Sequence, residues 1–492
     1  MFEHLPILQV VIPLISAPVC LLLRRRWLSW SFALAVSSLA LVMSATLLSR
    51  VYTGGGITYE LGGWAPPWGI EYRIDILNAF VLLLVAVIST VVLLYAPSSA
   101  AKEIPPSRHH LFYTAYLLCL TGLLGVTITG DAFNLFVFLE ISALSSYILI
   151  SLGKDRRALT ASYQYLVMGT LGATFIVIGI GLLYVVTGTL NMADIAGRLS
   201  EVGSNRTVLV AFAFLTVGMS LKLALFPLHL WLPNAYSYAP SVVTAFLAST
   251  ATKVSIYVFL RFVFTIFGRD FAFDTMHLNM ILMPLALIGI FVGSIVAIYQ
   301  NNIKRMLAYS SVAQIGYMML GISFLSVTGL TGGIVHLFNH GVMKGALFLA
   351  VGCVVLRTDS ANLGDFRGLG KRMPITMTAF VLAGVSLIGV PLTVGFVSKW
   401  YLVLAALEQG LWPVAFLILV ASLLAVAYIW RIVEVAYFQE SPEDAPEVTE
   451  APLLMQVGMW TLIVATYYFG ISTTMTVNVA RKAAEMLMGA LS

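Results

Sequence analysis

An all-α integral membrane protein with about fourteen transmembrane helices is what this sequence predicts, and three observations lead there. Hydrophobic residues make up 60% of the 492 and charged residues 10%, against roughly 25% charged in soluble domains. Mean hydropathy is +0.95, which leaves no charged shell to keep a chain dispersed in water. The apolar residues come in runs of about 20, the length at which a helix satisfies its own backbone across a bilayer.

Such runs predict spans at 5–23, 28–48, 77–96, 111–129, 132–152, 161–186 and 207–227, then at 240–267, 279–300, 306–324, 330–356, 374–405, 411–438 and 453–472. Residues 476–491 read as a short amphipathic helix lying at the interface. The first run, Ile7 to Leu23, is followed by Arg24, Arg25 and Arg26 and not preceded by basic residues. That is the order of a first transmembrane helix and not of a secretory signal peptide.

Loop charge orients the bundle. With the N-terminus outside, fourteen Lys and Arg fall in loops on the cytoplasmic side and seven on the other, predicting both termini extracytoplasmic. The net charge of +5 thus sits in short topology signals and is no nucleic-acid footprint. Residues 50–76, rich in Gly, Pro and aromatics, predict an ordered extracytoplasmic loop. The acidic segment 439–451 predicts a solvated cytoplasmic loop with no activity of its own. Cys20, Cys119 and Cys353 are scattered through apolar stretches without a C-x-x-C pair, so no zinc site, iron–sulfur cluster or other cofactor is expected from them.

Prolines interrupt two spans. Pro227, in the segment from Lys222 through His229 to Pro233, breaks the seventh, and Pro391 breaks the twelfth. Each removes a donor and clashes with the carbonyl four residues earlier, Leu223 and Leu387. The breaks lie five spans apart. Five is odd, so a second copy of a five-helix unit would enter the membrane inverted, a recurring transporter design.

The six basic residues left inside predicted spans, with one acid and several histidines, carry the chemistry. Glu140 sits in FNLFVFLEISALSSY near the middle of the fifth span, where a carboxylate needs a cation or a proton. A static ion pair between two helices is the competing reading. Lys222 lies beside the first break and Lys253 within TATKVSIY on the eighth span, both too deep to snorkel comfortably; structural lysines are the alternative there. Arg261 reaches the outer interface in the plainest reading. The eleventh span holds His336, His340 and Lys344 at i, i+4 and i+8, three groups on one face over about 12 Å, a spacing suited to proton relay. Two histidines at i, i+4 also suit a metal, but no acidic third ligand follows and a lysine below repels cations. Lys399 follows the second break. His229, past the first, serves either a cytoplasmic entrance or a cap.

With these segments in hand the sequence resembles the antiporter-like family that includes the membrane-arm subunits of respiratory complex I and the large subunits of Mrp-type Na+/H+ antiporters. The resemblance runs from FNLFVFLE through KLALFPLHLWLPNAY, NIKRMLAYSSVAQIGYMMLG and HLFNHGVMKGALFL to GVPLTVGFVSKWY. It implies two inverted five-helix repeats at 111–268 and 279–438. Three helices and a loop (1–110) precede them, and a last helix with its tail (452–492) follows. By the same resemblance Glu140 and Lys222 form the charged pair of the first half, and Lys253 links the half-channels. His336, His340 and Lys344 form the relay, and Lys399 is the terminal charge. The loop YELGGWAPPWGIEYRID and the stop soon after the last span most resemble the D-type subunit of Mrp antiporters. The function implied is proton translocation, as an ion-transporter subunit without catalysis of its own, within a hetero-oligomeric Na+/H+ antiporter of the cell inner or plasma membrane. Its partners are then sister subunits, H+, Na+ or another monovalent cation, and the lipid bilayer. A proton-pumping subunit of a complex I-type oxidoreductase or membrane-bound hydrogenase is the alternative.

Overall fold

The computed structural model describes residues 2–203, 205–442 and 447–489. The N-terminal part comprises α1 (Leu5–Leu22), α2 (Arg26–Gly54), strands β1 (Ile57–Glu60) and β2 (Glu71–Ile74), and α3 (Ile76–Glu103). Then come α4 (His109–Ile128), α5 (Ala132–Ser151), α6 (Arg157–Thr187), α7 (Met192–Val202), α8 (Arg206–Leu223), α9 (Trp231–Tyr238) and α10 (Ser241–Leu260), the last extended by a π-helical turn, Arg261–Ile266. The rest is α11 (Leu278–Ile298), α12 (Ile303–Ser323), α13 (Val327–Thr358), the single turn α14 (Leu369–Arg372), α15 (Pro374–Ile388), α16 (Val394–Glu408), α17 (Trp412–Phe438), α18 (Leu453–Ile471) and α19 (Thr474–Leu487).

Among the described residues twelve helices are long and apolar enough to cross a membrane; this is a multi-pass membrane protein. Helix α12 is not among them, and the segment predicted as one span at 374–405 is two half-helices. The core lies around α3, α10 and α13, which pack on one another and whose most apolar stretches are 78–94% buried, whereas those of α6, α11, α17 and α18 are 39% buried. Lipid is as apolar as leucine, so helices associate here by close packing. Gly172 and Gly218 let α6 and α8 touch: a β-carbon on either would press within 3.0 Å of the other's carbonyl oxygen.

Both proline breaks fall where the ring clash puts them. Helix α8 ends at Leu223, the residue whose carbonyl Pro227 displaces, and Ala224 turns left-handed at φ 59°. Helix α15 ends at Ile388, one residue past Leu387.

The loops correct four expectations. Residues 50–76 are not all irregular: α2 runs on to Gly54, and β1 pairs antiparallel with β2, Ile57 opposite Ile74. Helix α7 went unseen because its eleven residues are amphipathic and too short for a span. Lys304, read as a loop residue, is 4% exposed in the first turn of α12. Of the acidic loop, residues 443–446 lie outside the described residues, but Glu450 is structural: its carboxylate accepts from the Ile375 backbone at 2.6 Å and the Thr376 hydroxyl at 2.6 Å, capping α15. In the tail, α19 covers most of the predicted amphipathic helix (490 and 491 lie outside the described residues) and turns Ala480, Ala483 and Leu487 inward.

One hydrogen-bond pattern occurs twice. Asp131 bridges Asn191 before α5 and α7, and Asn302 bridges Asn362 before α12 and the turn at Leu363. In the first, the amide of Ala132 donates to the Leu190 carbonyl at 2.8 Å and that of Met192 to Gly130 at 2.9 Å; in the second, Ile303 donates to Ala361 at 2.8 Å and Leu363 to Asn301 at 2.7 Å. Asp131 and Asn302 also cap their own helices, accepting from the amides of Asn134 and Arg305. The two clasps sit at opposite ends of the bundle.

Candidate functional site: a row of buried charges

Glu140 on α5 and Lys222 at the end of α8 form an ion pair of 2.9 Å. The lysine side chain is 6% exposed and the carboxylate 25%, so the pair is buried on its basic side only. Beyond Lys222 the break is held by Trp231, whose indole N–H donates to the Leu221 carbonyl at 3.0 Å and whose ring stacks on Tyr165 at 3.9 Å.

Lys253 on α10 is fully buried, with no acid within ion-pair distance among the described residues. Its ammonium donates to the Ala248 carbonyl and to the Thr252 hydroxyl, the latter at 3.3 Å. Helix α10 packs directly on α13, the helix that carries His340 and Lys344.

On α13 the rings of His336 and His340 lie parallel, 5.9 Å apart, as the i, i+4 spacing requires. His336 is engaged at both nitrogens, Nδ1 with the Ser398 hydroxyl at 2.7 Å and Nε2 with the side-chain amide oxygen of Gln314, Oε1, at 2.9 Å. His340 is the opposite: both ring nitrogens are buried without a hydrogen-bond partner among the described residues. Lys344 donates to the Leu307 carbonyl at 2.7 Å and to the Ser310 hydroxyl, both on α12.

Lys399 on α16 donates to the Leu387 and Ile388 carbonyls at 3.1 and 2.8 Å, the groups that the Pro391 break releases. Its ammonium also lies 5.1 Å over the Tyr317 ring, and Tyr317 meets His336 at 5.7 Å. Gly389 permits this seat: it turns at φ +95°, and a β-carbon there would press on Lys399 Cδ at 3.0 Å.

The structure therefore brings seven of the eight predicted residues into two groups, Glu140 with Lys222, and Lys253 with His336, His340, Lys344 and Lys399. His229 stands apart. It is 5% exposed, stacks on Phe226 at 5.4 Å, and leaves Nδ1 without a partner.

Sequence reading missed the neutral partners Ser310, Gln314 and Tyr317. Their signal was present: three polar residues at i, i+4 and i+7 on one face of a membrane-embedded helix. It also mistook Arg261, which is 6% exposed and bonded to Asp75 at 2.6 Å instead of reaching an interface. Asp75 was unavailable to that reading because it lies 186 residues upstream.

Fold and site together define a polytopic membrane protein of the ion-transporter type, with titratable groups threaded through the core on continuous and broken helices. Residues 129–425 match the family described as NADH:quinone oxidoreductase/Mrp antiporter, transmembrane. The chain is 44% identical to the N-type subunit of NADH-quinone oxidoreductase from Desulforudis audaxviator, over 90% of this chain and 88% of that one. It is 32% identical to the D-type subunit of the Na+/H+ antiporter from Bacillus subtilis, over 98% and 97%. The solved structure of the Mrp complex from Dietzia contains a chain that superposes with a TM-score of 0.92 at 26% identity, covering 100% of this chain and 98% of that one. The protein belongs to the NADH:quinone oxidoreductase/Mrp antiporter family.

Proposed function

We propose that the chain is the proton-translocating subunit of a multi-subunit Na+/H+ antiporter of the Mrp type. The observation that carries this is the row itself: an ion pair at Glu140–Lys222, then Lys253, His340, Lys344, His336 and Lys399, which runs over α5, α10 and α13 and both broken helices. Packing alone gives no reason to bury three lysines with no acid in ion-pair distance among the described residues. Near-complete coverage of a D-type antiporter subunit, and of a chain in a solved Mrp complex, supports the antiporter branch and sister subunits as partners. The two clasps at opposite ends of the bundle support inverted repeats at 111–268 and 279–438, and α12 and the broken α15–α16, added to the twelve long apolar helices, support a count of fourteen crossings. The basic-loop bias supports a cell membrane location with both termini extracytoplasmic.

In this reading a proton waits on Lys253 or the histidines while the Glu140–Lys222 pair opens and closes. At about 4 Å and an effective dielectric of ~20, one unit charge is worth about 4 kcal/mol, enough to drive the proton toward Lys344 and Lys399. Protons moving one way exchange for Na+ moving the other.

Na+-dependent antiport in everted vesicles that carry the whole assembly tests this, with wild type beside Lys222→Ala and assembly followed by blot. Loss of Na+-driven proton movement with assembly intact is expected; antiport at the wild-type rate refutes it. The 44% identity to a quinone oxidoreductase subunit favours one second reading, a proton-pumping subunit of a redox complex. Co-purification of iron–sulfur or flavin subunits with this chain would select it.

A further inference from the structure

The end of the bundle that carries the basic loops contains a recess of about 320 Å³ which the row does not use. At its floor lie two ionisable groups, the half-buried Glu103 at the end of α3 and the buried Lys304 in the first turn of α12. Their side chains are 17% and 6% exposed, and the ammonium stands 3.7 Å from the carboxylate. Glu103 is oriented by neutral donors, the Ser241 amide at 2.9 Å and hydroxyl at 3.1 Å and the Ser99 hydroxyl at 2.9 Å. Lys304 also donates to the Ala239 carbonyl at 3.1 Å.

The rim is charged and already paired. Lys102 binds Asp359 at 2.7 Å, Arg157 binds Asp155 at 2.8 Å, and Lys154 donates to the Lys102 carbonyl at 2.5 Å. Glu103 and Lys304 are thus the groups at the inner limit of the recess.

What lies beyond them gives the recess a use. Lys304 is on the helix that receives Lys344: the Leu307 carbonyl and the Ser310 hydroxyl, which accept from Lys344, follow it by three and six residues. The rise along α12 is then about 9 Å from Lys304 to Ser310, a span that a lysine stem with bridging water covers. The same face continues through Gln314, bonded to His336.

We propose that this recess is a proton uptake port that feeds the second half of the row, with Glu103 as its acceptor and Lys304 as the carrier to Lys344. The inference rests on the transport reading above. A proton from water neutralises the Glu103 carboxylate and frees Lys304 from its ion pair. Lys304 gives its own proton along α12 to a deprotonated Lys344, returns as the neutral amine, and is recharged by Glu103. One proton has then passed from water to Lys344, and the pair has re-formed.

The experiment uses everted vesicles carrying the complete assembly, in which the basic-loop face is outward. Glu103→Gln and Lys304→Gln are each expected to cut proton flux about tenfold or more, and Glu103→Asp, which keeps a titratable acceptor, to hold it within about threefold. Glu103→Cys, in a background lacking Cys20, Cys119 and Cys353, is expected to react with an impermeant charged thiol reagent in everted but not in right-side-out vesicles. Wild-type flux in the Glu103→Gln/Lys304→Gln double variant, with Lys344→Ala inactive, overturns the port and leaves the transport reading standing. Wild-type flux in Lys344→Ala overturns both. Equal loss in Glu103→Asp and Glu103→Gln, with the introduced thiol unreactive, marks a purely structural pair and also overturns the port.

Discussion

The two sides of the charge row treat buried cations in opposite ways, the Glu140–Lys222 pair on one and the stretch from Lys253 to Lys399 on the other. In the first, Lys222 faces a carboxylate, and the charge beside the α8 break is balanced. In the second, Lys344 and Lys399 rest on carbonyls and a hydroxyl, with no carboxylate within ion-pair distance among the described residues. Lys399 lies on the carbonyls freed by its own helix break, so the proline that interrupts the span also builds the seat of the charge. A balanced pair stores field that changes when the pair opens; an unbalanced row responds to that field by moving its protons. The contrast assigns switching to the pair and conduction to the row.

The sharpest break of that contrast is Glu140→Gln. It leaves Lys222 buried beside a neutral amide, a loss of partner that costs about 3–5 kcal/mol when a buried pair is broken. Antiport should fall to background, and the melting temperature of the assembled complex should drop measurably; full antiport would remove the pair from the mechanism.

The second-half prediction separates the two histidines. His336 bonds to Gln314 and Ser398, so His336→Ala should destabilise by about 1–3 kcal/mol through the partners it strands. His340 has no hydrogen-bond partner at either nitrogen among the described residues, so His340→Gln should leave the melting temperature near wild type and still slow proton flux about tenfold. Equal destabilisation by both changes would mean that His340 is held by groups of the protein after all.

The smallest effect concerns the seat of Lys399. Gly389→Ala places a β-carbon in a left-handed position costing about 1–2 kcal/mol, and presses it on the lysine stem. A modest loss of stability with a several-fold slower flux is expected by thermal melting and vesicle assay, and an unchanged flux would separate the seat from conduction.

Much of this was legible in the chain because the membrane makes its signals loud. Apolar runs located the helices, though α2 and α3 run on to Gly54 and Glu103, past the predicted ends at 48 and 96, and Pro227 and Pro391 predicted breaks at the carbonyls where α8 and α15 stop. Buried charges stood out against apolar neighbours. What stayed hidden depended on distance along the chain. The partners of Arg261 and Lys304 lie 186 and 201 residues upstream, at Asp75 and Glu103, and no local pattern announces such pairs. Helix α7 and the β1–β2 hairpin escaped because short amphipathic elements between spans resemble loops in composition. Gln314 and Ser398 were visible as polar residues, but only the crossing of α12, α13 and α16 turns them toward His336.

The division of labour is tested most directly by neutralising the pair without stranding either partner. Glu140→Gln/Lys222→Met removes both charges at once, so the packing penalty of a lone buried cation is avoided. The account predicts an assembled complex of near wild-type thermal stability in which Na+-driven proton movement across everted vesicles is absent. Antiport at the wild-type rate in that double variant would contradict it, showing that the row from Lys253 to Lys399 runs without the pair as its switch.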